Sequence, residues 1–133
     1  MGQSTDPIAD MLTKVRNGCK ARHAQVDVPS SIIKTDIARL LKDEGFIRHY
    51  KVIDDEKQGT LRIFLRYSSD GEPLITKVKR VSKPGRRAYT KRASLRPIMR
   101  GEGLIILSTS SGIMSDKECR KRNLGGEVIC CVW

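Results

Sequence analysis

Between Glu72 and Glu102 the chain carries ten cations and no acid: Lys77, Lys79, Arg80, Lys83, Arg86, Arg87, Lys91, Arg92, Arg96 and Arg100. Pro84, Gly85 and Pro97 keep the stretch from being one long helix. Gathering ten cations with no counter-charge is costly unless an anion is present. Nucleic-acid phosphates supply one, and binding them releases counterions. Arg prevails in the later part of the window, and its planar fork matches phosphate geometry. A solvated face normally mixes signs, and a membrane-surface helix needs an amphipathic period that is missing here. Tyr89 lies inside the window. An aromatic among cations can stack on an unpaired base, although a core tyrosine accounts for it equally well.

The charge is unevenly distributed. Residues 1–66 hold 12 basic and 9 acidic side chains, and residues 67–133 hold 14 and 6, so most of the net charge of +11 sits in the second half. The apolar runs, such as Leu104 to Leu107, are far too short to span a bilayer. No basic start followed by an apolar stretch opens the chain, so no secretory signal is expected. Met1-Gly2 lacks the Ser or Thr that myristoylation wants, since Asp6 stands there.

Cys19, Cys119, Cys130 and Cys131 form no C-x-x-C pair, and His23 and His49 show no ligand spacing. The thiols read as small reduced hydrophobes of a cytosol-like compartment, and no metal or cofactor is expected.

Asp6-Pro7 opens a helix, with an N-cap acid before a proline at the first helical position. Ile8, Met11, Leu12, Val15 and Cys19 follow as one apolar stripe. Gln25 to Val28 is a strand stopped by Pro29. Ser30 or Ser31 caps a second helix with Ile33, Ile37, Leu40 and Leu41 inward, and Gly45 ends it. Strands are expected over Phe46 to Ile53 and Thr60 to Tyr67, joined by the polar turn Asp54 to Gly59. The first part therefore reads α-β-α-β-β, as a lobe over 1–67. Residues 68–73, Ser-Ser-Asp-Gly-Glu-Pro, read as a linker. The second lobe, 74–133, is expected to be mostly β with a short helix: a strand over Leu74 to Val81, a short extended piece within Ser82 to Tyr89, and a buried strand over Leu104 to Leu107. A helix opens at Ser115 with Glu118 completing a capping box, Gly125-Gly126 closes it, and Val128 to Val132 is the last strand. The fold class is α+β.

Ser108-Thr109-Ser110-Ser111-Gly112 is the most unusual local feature. Four hydroxyl side chains follow a buried strand and end at a glycine. Short hydroxyls reach base edges, 2′-OH groups and phosphates, whereas a self-bonded polar turn is the bland alternative. A catalytic serine needs a base, and both histidines belong to the other lobe. There is no G-x-S-x-G and no G-x-x-x-x-G-K-[ST], and Gly101 with Gly103 does not make a G-x-G-x-x-G. Acids are scarcest where charge is highest, which does not suit a two-metal nuclease. The chain does not read as an enzyme.

At this loop the chain resembles a known family. Ser108 to Asp116 with Arg120 and Gly125-Gly126-Glu127 is similar to the C-terminal signature of the eighth protein of the small ribosomal subunit. Asp6 to Thr13 with Arg16-Asn17 looks like the first helix of that family. Pro29-Ser30-Ser31 and Glu44-Gly45-Phe46-Ile47 resemble its second helical region, and Val81-Ser82-Lys83-Pro84-Gly85 with Arg87 and Tyr89 its mid-chain motif. The resemblance covers essentially the whole chain. It implies two small lobes and direct, early binding to the central domain of small-subunit rRNA, beside neighbouring small-subunit proteins. Carried over, the RNA contacts fall on Ser108, Thr109, Ser110 and Gly112, on Glu127, and on Tyr89 with Ser82 to Arg87. Cys119 stands where the family usually has Ala, Cys131 where it often has an aromatic, and Arg86 where it often has an apolar residue.

The combined expectation is a non-enzymatic rRNA-binding protein of a bacterial or plastid-type small subunit, in the cytoplasm or in the plastid stroma. Its candidate RNA-binding residues are Ser82, Lys83, Pro84, Gly85, Arg86, Arg87, Tyr89, Lys91, Arg92, Ser108, Thr109, Ser110, Ser111, Gly112 and Glu127. A free-standing regulator that binds mRNA or DNA is the main rival, and a nucleic-acid-processing enzyme the next.

Overall fold

A computed structural model describes residues 6–91 and 96–133. Helix α1 (Pro7–Lys20) begins at Asp6, whose side chain accepts from the Ala9 amide at 3.2 Å, and it buries the whole expected stripe. Strand β1 (Gln25–Pro29) runs one residue further than the sequence suggests. It is an edge strand, where a proline without an N–H is tolerated. Helix α2 (Ile32–Asp43) is capped by Ser31 and buries Lys34, Ile37, Ala38, Leu40 and Leu41. Ile33 is only partly buried against this core. Strands β2 (Ile47–Ile53) and β3 (Thr60–Leu65) follow, and the antiparallel order β1-β3-β2 places β3 at the centre.

Residues 68–73 form a closed turn, with Ser68 N donating to Glu72 O at 2.7 Å and Arg22 paired to Glu72 at 3.3 Å. The strand expected over Leu74 to Val81 shortens to β4 (Val78–Arg80). Its partner explains the difference: the ladder ends at Val132, and the amides of Thr76 and Lys77 converge instead on Trp133 O, at 2.6 and 2.7 Å. The strands and α-helix that follow are β5 (Tyr89–Thr90), β6 (Leu104–Thr109), β7 (Gly112–Ser115), α3 (Asp116–Arg122) and β8 (Gly126–Val132), with a short 3-10 turn at Met99–Gly101 before β6. Strand β8 is the hub: it pairs with β4 and β5 on one side and with β6 on the other, and β7 lies beyond β6.

Alternation along β6 divides the apolar run. Leu104 and Ile106 join the α1 and α2 core, together with Ile75, Ile129, Cys130 and Val132. Ile105 and Leu107 pack with Met114 and Cys119 in a second cluster. Both faces of the strand are thus buried, which is why it reads as a continuous apolar run. The four cysteines are free; three are buried, and Cys131 is partly so. Burial pushes the Cys130 thiol up to about 12.

Two local expectations change. The helix after Ser115 is closed by Asn123 in a left-handed conformation (φ 58°), not by Gly125-Gly126. The capping box is half made: Ser115 accepts from the Glu118 amide at 3.2 Å, but Glu118 turns its carboxylate to Arg122 at 2.9 Å.

Candidate nucleic-acid interface

The candidate residues gather around the start of β8. The pairing register sets Glu127 opposite Tyr89 of β5 on one side and opposite Ser108 of β6 on the other. Residues 89, 127 and 108 therefore form one row across three strands. Tyr89 is 71% exposed, which removes the core reading and leaves its ring available for stacking.

The hydroxyl segment is the tip of a hairpin. Ser108 and Thr109 close β6, Ser110 and Ser111 make the turn, and Gly112 opens β7. Strand β7 was not legible in the sequence, where this stretch reads as a loop running into the helix. Neither turn serine has a positive φ, but Gly112 has φ 108°, a conformation strained for any other residue. Thr109 is committed internally: its hydroxyl donates to Gly112 O at 2.9 Å and accepts from Ser111 N at 3.0 Å. The Ser108 and Ser110 hydroxyls make no hydrogen bond with the described residues, and Ser110, Ser111 and Gly112 are exposed.

On the other flank, Ser82 is completely buried. It donates to Glu127 Oε2 at 2.5 Å and accepts from Ala88 N at 3.1 Å. Arg87 Nη1 donates to the same carboxylate oxygen at 2.9 Å. The Ser82 hydroxyl first, and the Arg87 guanidinium after it, hold the Glu127 carboxyl below the usual carboxylate range against the opposing effect of burial. Glu127 is therefore an ion at neutral pH whose charge is already balanced on one side. Between these anchors Lys83, Pro84, Gly85 and Arg86 form a tight exposed turn, closed by Lys83 N to Arg86 O at 3.0 Å and Arg86 N to Lys83 O at 2.9 Å. Lys91 is exposed just after β5. Arg92 lies outside the described residues.

The basic window is smaller than its sequence count. Arg80 is turned inward, its Nε 3.0 Å from Asp6 Oδ2 and its Nη1 donating to Ile129 O at 2.8 Å. Its side chain is 8% exposed, so it fastens the fold and faces no ligand. Gly126 is a residue that sequence reasoning placed at the end of a helix. Its real constraint is the approach of β6, because a Cβ there would lie 2.2 Å from Ser108 O. The glycine lets β8 pass close enough for Glu127 to sit beside Ser108.

A family model described as ribosomal protein S8 matches residues 6–133. The chain is 54% identical over 129 residues to the small ribosomal subunit protein uS8 of Streptococcus pneumoniae serotype 19F strain G54, covering 97% of this chain and 98% of that one. It is 51% identical, with the same coverage, to the uS8 of Thermodesulfovibrio yellowstonii. The chain belongs to the ribosomal protein S8 family. In this S8-family chain the site offers three kinds of group side by side. Uncommitted hydroxyls at Ser108 and Ser110 donate or accept, the Glu127 carboxylate accepts, and the Tyr89 ring stacks. Lys83, Arg86 and Lys91 are exposed cations on the segments that flank Tyr89 in the chain. The arrangement brings donors, an acceptor and a stacking ring together, as recognition requires.

Proposed function

We propose that this chain is a structural, non-enzymatic constituent of the small ribosomal subunit that binds directly to the central domain of its rRNA and supports assembly there. It works on the ribosome, in the cytoplasm or, for an organellar chain, in the plastid stroma, beside other small-subunit proteins. The observation that carries the reading is the row Tyr89, Glu127, Ser108 in an S8-family chain, bordered by exposed cations. Two lobes share the work. The 74–133 lobe holds the RNA contacts at Ser82 to Arg87, Tyr89, Lys91, Arg92, Ser108 to Gly112 and Glu127, and the 1–67 lobe, across the 68–73 segment, supports it. The cations supply on-rate and phosphate contacts, and the neutral hydroxyls with Glu127 fit a non-duplex feature of an rRNA helix.

Crosslinking in cells followed by RNA sequencing tests this directly. Crosslinks concentrated in the central domain of small-subunit rRNA, with the protein co-sedimenting with ribosomes, are expected. A protein found free, with crosslinks spread over messages or DNA, would establish the regulator instead.

A further inference from the structure

Among the described residues, the sheet β1-β3-β2 is covered on one face only. Val26, Leu61 and Ile63 are buried in the core with residues of α1 and α2. On the opposite face the register aligns Gln25, Phe64 and His49 in one row, and Asp27, Arg62 and Lys51 in the next. A register shift between Ile47 and His49 leaves both Arg48 and His49 exposed beside Phe64. The His49 and Phe64 rings stack, with centroids 6.1 Å apart and planes inclined by 23°. Lys51 Nζ lies 5.9 Å from the Phe64 ring centroid. Together they make an aromatic ledge, with the Lys51 ammonium over the Phe64 ring and the His49 ring exposed beside it.

The charges around the ledge are unequal. Arg62 is spent on Asp27 through two bonds of 2.9 and 3.1 Å. Arg48 and Lys51 have no ion-pair partner among the described residues. The nearest run of acids, Asp54-Asp55-Glu56, lies beyond the far end of β2, and there Asp54 and Asp55 accept from the backbone amides of Glu56, Lys57 and Gly59. The ledge is therefore positive at the His49 end. An exposed ring beside cations that hold no ion-pair partner among the described residues complements a base flanked by phosphates. A duplex hides its base faces, so only an unpaired nucleotide can use the ring surface.

We propose that this face is a second RNA-binding surface, taking an unpaired base on the His49–Phe64 ledge while Arg48 and Lys51 meet the adjoining phosphates. It lies in the other lobe from Glu127, so the chain holds two RNA segments at once. The proposal rests on the rRNA reading only for the source of that RNA.

The test is an amide NMR titration of the full chain with single-stranded octa-adenylate RNA, and separately with a blunt RNA duplex. Octa-adenylate is expected to shift the amides of His49 to Lys51 and of Phe64, and the duplex to leave them in place. His49→Ala should weaken octa-adenylate binding at this face about five- to tenfold, as loss of a stacking partner does. Lys51→Gln should flatten its salt dependence by about one counterion. Both side chains are exposed, so the fold should survive, which circular dichroism verifies. Absence of shifts in β2 and β3, equal shifts with the duplex, or unchanged affinity in a folded His49→Ala variant would each overturn the proposal. A failure of the rRNA reading looks different: the central-domain fragment would not bind, while the octa-adenylate shifts would persist.

Discussion

Arg80 Nε and Asp6 Oδ2 lie 3.0 Å apart, although the two residues are separated by 74 positions. The same carboxylate caps α1, and the same guanidinium reaches Ile129 O in β8, so the pair fastens the start of the chain to the hub of the second sheet. A cation that stands among phosphate-binding candidates in sequence is a structural tie in space.

Arg80→Ala should therefore behave unlike its neighbours. It takes the guanidinium away from a largely buried Asp6 carboxylate that also caps α1, and breaking a buried pair costs up to about 3–5 kcal/mol. Urea denaturation should show that loss. The salt slope of RNA binding by the protein that remains folded should match the parent, and a flatter slope would return Arg80 to the phosphate contacts.

Arg86→Ala should do the reverse. Arg86 is exposed where the Lys83 to Arg86 turn closes through backbone bonds alone, so loss of its side chain should leave the unfolding midpoint in place. A plot of log affinity against log salt should become shallower by roughly one counterion, for cognate and random RNA alike.

Glu127 gives a pH signature. Its carboxyl is held low by the Ser82 hydroxyl and then by Arg87, so the folded state binds the proton less readily than the unfolded state. That stabilisation is complete at neutral pH and is lost as the pH falls out of the ordinary carboxylate range through the lowered value. Glu127→Gln should cost about 1.5–3 kcal/mol near neutrality, as for hydrogen bonds to a charged group. The two stability curves should converge in acid; parallel curves from neutral to acid pH would contradict the role given to Ser82.

Gly126→Ala should be the most damaging small substitution near the site. The new methyl group meets the Ser108 carbonyl oxygen at 2.2 Å, and a paired strand cannot yield as a flexible side chain does. Overpacking of this kind costs about 1–3 kcal/mol, and it also moves Ser108 away from Glu127. Thermal unfolding and affinity for the central-domain fragment should both fall.

Ser108→Ala with Ser110→Ala should lower affinity for the cognate rRNA by about 0.5–1.5 kcal/mol per lost contact, with the salt slope unchanged, because neither residue is charged. Gly112→Val should be worse than either, since φ 108° is strained for valine. Equal losses on cognate and random RNA, measured side by side, would reduce the hairpin tip to a polar turn.

Most of the first half was legible because its signals are local. The spacing of Ile8, Met11, Leu12, Val15 and Cys19 already describes a helix face, and Asp6-Pro7 and Ser31 mark where helices start. Alternation from Leu61 to Leu65 describes a strand with one buried side. The hydroxyl run, Glu127 and the Ser82 to Tyr89 segment were visible as candidates on motif alone. Strand β7 was not, because four residues ending in a helix cap carry too short a pattern to separate from a loop. The length of β4 was not either, because it depends on where β8 stops pairing.

Sequence by itself determined the apolar faces, the caps and the excess of positive charge, since each depends on residues within a few positions of one another. Only the tertiary structure decided which charges remain available and what surrounds each glycine. Arg80 is consumed by Asp6, Glu127 is claimed by Ser82 and Arg87, and Gly126 is needed because β6 crosses it. Electrostatic pairing and steric exclusion act over a few ångströms of space, and the chain brings together there groups that lie 18 to 74 positions apart in sequence.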